Sequence, residues 1–239
     1  MLFRQLMDKE TSTYTYLLAD EDTQEAILID PVLEQVNRDT LLIEQLGLNL
    51  VYILETHVHA DHITGAHGLR ERFDAKTVLS ENAGVNCADI NAGHGEVLEF
   101  GKHRIEIRLT PGHTAGCQSF VVRNGTQTMV FTGDALFVRG CGRTDFQQGS
   151  AKTLYQSVHE QIFSLADSTL IYPGHDYKGN TVSTVKEERA FNPRLNTTID
   201  EAGFVAIMEG LNLSYPKKIK ESLPANMACG KTNPPQAEA

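Results

Sequence analysis

The stretch Glu55-Thr56-His57-Val58-His59-Ala60-Asp61-His62-Ile63-Thr64-Gly65 decides the fold. It follows Val51-Tyr52-Ile53-Leu54, a short apolar run that reads as a buried strand, and it packs three imidazoles and a carboxylate into six residues. His57 and His59 are two apart and project to one side of an extended segment. Asp61 and His62 then cross a turn into a helix expected over 62–73. A lone imidazole is more often satisfied by a backbone carbonyl than by a metal. A run this dense reverses that preference and has the spacing of metal ligands.

Working outward, three further strand ends repeat the design: Thr110-Pro111-Gly112-His113-Thr114-Ala115-Gly116, Phe131-Thr132-Gly133-Asp134-Ala135 and Tyr172-Pro173-Gly174-His175-Asp176. Each presents His or Asp at a Gly or Pro turn, and each alone is weak. Together they are what a rigid sheet needs to bring ligands from distant sequence onto one site.

The remaining pattern is strand blocks with interspersed helices. Residues 13–18 and 26–29 read as an opening hairpin stopped by Pro31, residues 38–46 as a helix before Gly47, and 77–79, 97–100 and 104–109 as strands. In the last of these Ile105, Ile107 and Leu109 alternate with Arg104, Glu106 and Arg108, the period of a half-buried strand. A second hairpin turns at Asn124-Gly125. Helices over 151–165 and 182–191 flank a strand at 170–172. This order predicts two sheets packed face to face with helices outside, in one domain over 1–239 whose polar, proline-rich tail from Lys231 is loose.

Composition narrows the function classes. No window approaches the roughly 18 to 20 consecutive apolar residues of a membrane span. Acidic residues outnumber basic ones by 31 to 21, giving a formal charge of -10, and no Lys/Arg-rich segment offers a track for phosphates, which argues against nucleic acid. The first residues carry no apolar signal core, and the four cysteines (Cys87, Cys117, Cys141, Cys229) lie far apart without a C-x-x-C pair. Reduced thiols and a cytoplasmic, bacterial protein are therefore expected.

The ordered set H-x-H-x-D-H, P-G-H-T, T-G-D and G-H-D resembles that of the metallo-β-lactamase superfamily, which implies an αββα sandwich with metal at one sheet edge. Residues 131–149 (F-T-G-D-A-L-F-V-R-G-C-G-R-T-D-F-Q-Q-G) and 182–195 (V-S-T-V-K-E-E-R-A-F-N-P-R-L) resemble the persulfide dioxygenase branch, and the likeness extends to about Pro224-Ala225-Asn226-Met227. The resemblance implies one Fe(II) per chain, held by His57, His113 and Asp134 as a facial triad with positions open to substrate and O2. It leaves His59, Asp61, His62 and His175 to orient ligands or relay protons. It implies that glutathione persulfide is oxidised by O2 and water to sulfite and glutathione, with Arg143 and Arg194 gripping carboxylates and Tyr177 at a further pocket position. A homodimer is expected by the same likeness. Cys117 and Cys141 are read as small buried hydrophobes with no catalytic part.

Two other readings compete. A glyoxalase II-like thioester hydrolase would hold one metal on His57, His59 and His113, another on Asp61, His62 and His175, and bridge them with Asp134. A scaffold that kept the fold and lost the chemistry would have shed a ligand, and none is missing. The sequence after Asp134 and over 182–195 favours the dioxygenase.

Overall fold

The computed structural model describes residues 1–232, so that all but the first two residues of the loose tail expected from Lys231 lie outside the described residues. Among the described residues, twelve strands form two six-stranded sheets. The first runs β1 (Leu2–Asp8), β2 (Thr13–Ala19), β3 (Glu25–Ile29), β4 (Asn49–Leu54), β5 (Lys76–Ser80), β6 (Ile90–Ala92) in spatial order. Its first three strands are antiparallel, and β3 to β6 pair in parallel. The second sheet has the order β12 (Ser183–Thr184), β11 (Leu170–Pro173), β10 (Gln127–Gly133), β9 (Gln118–Asn124), β8 (His103–Leu109), β7 (Val97–Phe100).

Side-chain alternation builds the layers. Along β2, Tyr16 and Leu18 point between the sheets with Phe120, Phe131 and Ile105, while Leu17 and Ala19 point outward. The outward face is covered by α1 (Val36–Gln45) and α2 (Ala66–Phe73) through Ile43, Ala66 and Leu69. On the other side Val121, Val130 and Ile171 pack under α3 (Ala151–Ser157), α4 (Val185–Phe191) and α5 (Glu201–Glu209), with Phe204 fully buried. Both sheets are thus apolar on both faces, and the architecture is the expected αββα sandwich.

Several boundaries move. The helix expected from His62 starts only at Ala66, because the amides before it are already engaged: Thr64 N donates to Asn226 Oδ1, Gly65 N to Pro31 O and Ala66 N to Thr64 Oγ1. The helix expected over 151–165 is α-helical to Ser157 and continues as a π turn, Val158–Ile162. At 182–191 the helix waits until Val185, capped by Thr184, and Ser183–Thr184 form the edge strand β12. The hairpin loop is Gly125-Thr126 rather than Asn124-Gly125, since Asn124 pairs with Gln127 and the left-handed φ of 58° falls on Gly125. Strands β1 and β6 and helices α5 and α6 (Ile219–Asn226) were not anticipated; Pro224 inside α6 and Gly203 inside α5 mask their periodicity.

The cysteines also need correcting. Cys87 and Cys229 form a disulfide across 142 positions, because α6 returns to the loop before β6 and sets their Cα atoms 5.8 Å apart. Distance along the chain was a poor guide to distance in space, and the reduced-thiol argument for a cytoplasmic address falls with it. Cys117 and Cys141 are free and buried, as expected. Among the described residues no helix is long and apolar enough to cross a membrane.

Candidate metal centre

The ligand-bearing turns emerge at one edge of the sandwich. The chain leaves β4 through Glu55 and Thr56, and Asp30, at the end of β3, takes both the amide (2.7 Å) and the hydroxyl (2.8 Å) of Thr56. With its proton given to Asp30, Thr56 Oγ1 accepts from His57 Nδ1 at 3.0 Å, which leaves the lone pair of His57 on Nε2. Burial, reinforced by the imidazoles of His59 and His113, pushes the pKa of His57 well down, so it is held neutral as a ligand must be.

His113 is presented by the turn after β8. Gly112 there has φ 138°, and any Cβ would lie 2.4 Å from the backbone of Leu154, so the turn sits directly on α3. His113 Nδ1 is 2.6 Å from the carbonyl of Arg143 and donates to it, which turns Nε2 towards Asp134 Oδ2 at 3.5 Å. Asp134 follows Gly133, whose φ of 49° and missing Cβ let β10 end against the side chain of Thr56. Ligand atoms of His57, His113 and Asp134 all lie within 4.8 Å of one another, close enough to share one ion.

The other motif residues gather beside these three. His59 Nε2 faces Asp30 (3.2 Å) and Glu55 (3.3 Å); burial alone would lower its pKa, but the two carboxylates hold it well above the ordinary value. His62 Nδ1 is 3.0 Å from Asp61 Oδ2, and His175 Nε2 lies 3.5 Å from Asp134 and 3.6 Å from Asp61. His59, Asp61 and His175 form a second group with ligand atoms inside 4.8 Å. Asp134 Oδ1, His59 Nδ1 and His62 Nε2 are buried without a hydrogen-bond partner. Native interiors rarely strand so many polar atoms together unless an ion or water completes them. The donor set therefore fits a bound metal.

A cleft of about 530 Å³ opens over Asp61, His113, Asp134 and His175. All three residues expected to hold substrate line it. Tyr177 is 72% exposed at its rim, its ring parallel to that of His175 with centroids 6.0 Å apart. Arg194 gives one donor to the Cys141 carbonyl at 3.2 Å. Arg143 is already engaged: Nε and Nη2 fork onto Asp145 at 2.6 and 2.7 Å, Nη1 donates to Ser214 O, and the guanidinium lies over Phe146. Sequence reasoning missed Lys178, which also lines the cleft, and the buried orienting residues Asp30 and Thr56. Asp30-Pro31 carries the same signal of an acid at a strand-ending proline, and could have been found that way.

Residues 8–175 match the family described as the metallo-beta-lactamase superfamily. The chain belongs to that superfamily. Within it, the chain is 53% identical over 236 residues to the persulfide dioxygenase ETHE1, mitochondrial, of Mus musculus, covering 98% of this chain and 91% of that one. The crystal structure of ETHE1 from Myxococcus xanthus superimposes with a TM-score of 0.92 at 51% identity, over 97% of this chain and 100% of that one. A glyoxylase B2 of Dictyostelium discoideum is more distant, 29% identical over 265 residues, 94% of this chain and 89% of the relative.

Proposed function

We propose that this member of the superfamily is a mononuclear iron persulfide dioxygenase, converting glutathione persulfide, O2 and water to glutathione, sulfite and two protons. The observation that carries the reading is the near full-length identity to persulfide dioxygenases, joined to a His57, His113, Asp134 group whose donor atoms converge on one point. Fe(II), when bound, supplies the electrons that let O2 react with a sulfur, which a zinc ion does not.

The chain's own residues fix the geometry. The Asp30–Thr56 pair holds the His57 tautomer, and the Arg143 carbonyl holds that of His113. Asp134 Oδ1 makes no hydrogen bond, with His175 Nε2 its neighbour at 3.5 Å, which leaves its lone pairs to an ion. Glutathione brings carboxylates into a cleft where Arg194 and Lys178 supply positive charge and Tyr177 a flat face. The Arg143 side chain gives three of its five N–H groups to Asp145 and Ser214 and keeps two to meet a carboxylate, while its backbone carbonyl braces His113. His175, with Nε2 3.5 Å from Asp134 and 3.6 Å from Asp61, lines the cleft beside the proposed ligands, where it can give or take a proton.

The alternative is a binuclear thioester hydrolase, favoured by the second ligand group, in which His59 rather than the expected His62 joins Asp61 and His175. Protein loaded with iron and with zinc separately distinguishes them. Iron-loaded protein is expected to form sulfite from glutathione persulfide, zinc-loaded protein none, and neither to release thiol from a lactoyl-glutathione thioester. Thioester cleavage without sulfite overturns the proposal.

A further inference from the structure

The segment Pro224-Ala225-Asn226-Met227-Ala228-Cys229-Gly230 has no part in the chemistry above, yet it touches the back of the metal loop. Asn226, at the end of α6, is 3% exposed and uses its whole amide on that loop. Its Nδ2 donates to the carbonyls of His59 and His62, both at 2.8 Å, and its Oδ1 accepts from Thr64 N at 2.9 Å. One side chain thus closes three backbone groups more than 160 positions away. Two neighbours tighten the contact. Cys229 is bonded to Cys87, and Gly230 (φ 83°) lies so close to Thr64 that a Cβ would be 2.5 Å from its carbonyl oxygen.

We propose that Asn226 is a positioning residue for the metal centre, acting through the loop from His59 to Thr64. The proposal rests on the reading that His57, His113 and Asp134 hold the ion. Without the amide, two buried carbonyls and one amide N–H lose their partners, and water or a shifted loop must satisfy them. This segment carries His59, Asp61 and His62 and continues from His57 through Val58 alone, so a shift in it reaches one of the three proposed ligands, His57. The carbonyl of Val58 is separately held by Gln147 Nε2 at 2.7 Å, so the loop is fastened from both sides and Asn226 supplies the rear fastening.

The test compares Asn226→Asp, which keeps the acceptor for Thr64 and loses both donors, with Ser222→Ala on the same helix, whose buried hydroxyl has no partner. Ferrous iron release to a chelator at 25 °C, melting temperature, and kcat and KM are measured on iron-loaded protein. Expected for Asn226→Asp is release about 10- to 100-fold faster with kcat lowered and KM for persulfide within about twofold, because loss of groups that orient ligands costs that much affinity; Ser222→Ala should match the wild type. A lowered melting temperature with release unchanged overturns the proposal by reducing Asn226 to a structural residue. If the variant does not fold, amide exchange of Thr64 in the wild-type protein decides. Coupling is reciprocal, so metal must slow that exchange, and an unchanged rate overturns the proposal. Wild-type protein that binds no metal would defeat the ligand assignment instead, so the two failures are distinct.

Discussion

Gly142→Ala should unseat two of the three proposed ligands with a single methyl group. A Cβ at residue 142 would lie 2.5 Å from the Asp134 carbonyl oxygen, 2.9 Å from His113 Nδ1 and 3.0 Å from Asp134 Cβ. The φ of Gly142 is not in the left-handed region, so the cost of alanine there comes from its contacts and not from a left-handed backbone. Non-bonded heavy atoms settle at about 3.5–4.0 Å, so something must move by roughly 1 Å. Metal sites tolerate about 0.5 Å of ligand displacement. The expected loss is about 10- to 100-fold in Fe(II) affinity, or about 1.4–2.8 kcal/mol. Overpacking should also cost about 1–3 kcal/mol of stability, a melting point lowered by about 2–12 °C for a chain of this size. Chelator competition reads the affinity and a thermal melt the stability. Gly140→Ala is the control, because its Cβ would meet only Phe137 side-chain atoms, the nearest at 3.8 Å. Wild-type iron affinity in Gly142→Ala would refute the placement of His113 and Asp134 as ligands.

Other outcomes follow from the same geometry. His113→Ala and Asp134→Ala should each abolish stable iron binding, checked by metal content after desalting, since two remaining ligands hold Fe(II) poorly; a full equivalent of iron in either contradicts the assignment. Arg194→Ala should raise KM for glutathione persulfide about 10- to 100-fold with kcat within about twofold, the size of one charged hydrogen bond, and an unchanged KM would remove Arg194 from the pocket. Burial pushes the Cys117 thiol up to about 12 and the Cys141 thiol up to about 11. Native protein at pH 8 should therefore take up no iodoacetamide, and reduction should expose only the two thiols of Cys87 and Cys229; rapid labelling of Cys117 or Cys141 in the unreduced protein would contradict this.

What was legible in the sequence were features whose signal is local. Strand β8 shows its alternation, β10 ends visibly in Gly133-Asp134, and three of the four ligand turns carry a Gly beside a His or Asp, the fourth announcing itself by its run of imidazoles. What was not legible depended on contacts between distant segments. Helix α6 hides behind Pro224, the start of α2 is set by Asn226 from the other end of the chain, and the Cys87–Cys229 bond exists only because α6 folds back. Arg143 shows a third kind of limit: its charge is readable, but that Asp145, two residues on, takes two of its donors depends on how the loop between them turns.

The most direct test of the central claim is oxygen uptake by anaerobically purified, iron-loaded protein on adding glutathione persulfide, with metal content measured on the same sample. O2 consumption matched by sulfite at one iron per chain is the expected result. Two metals per chain with no O2 uptake and cleavage of a glutathione thioester would contradict it.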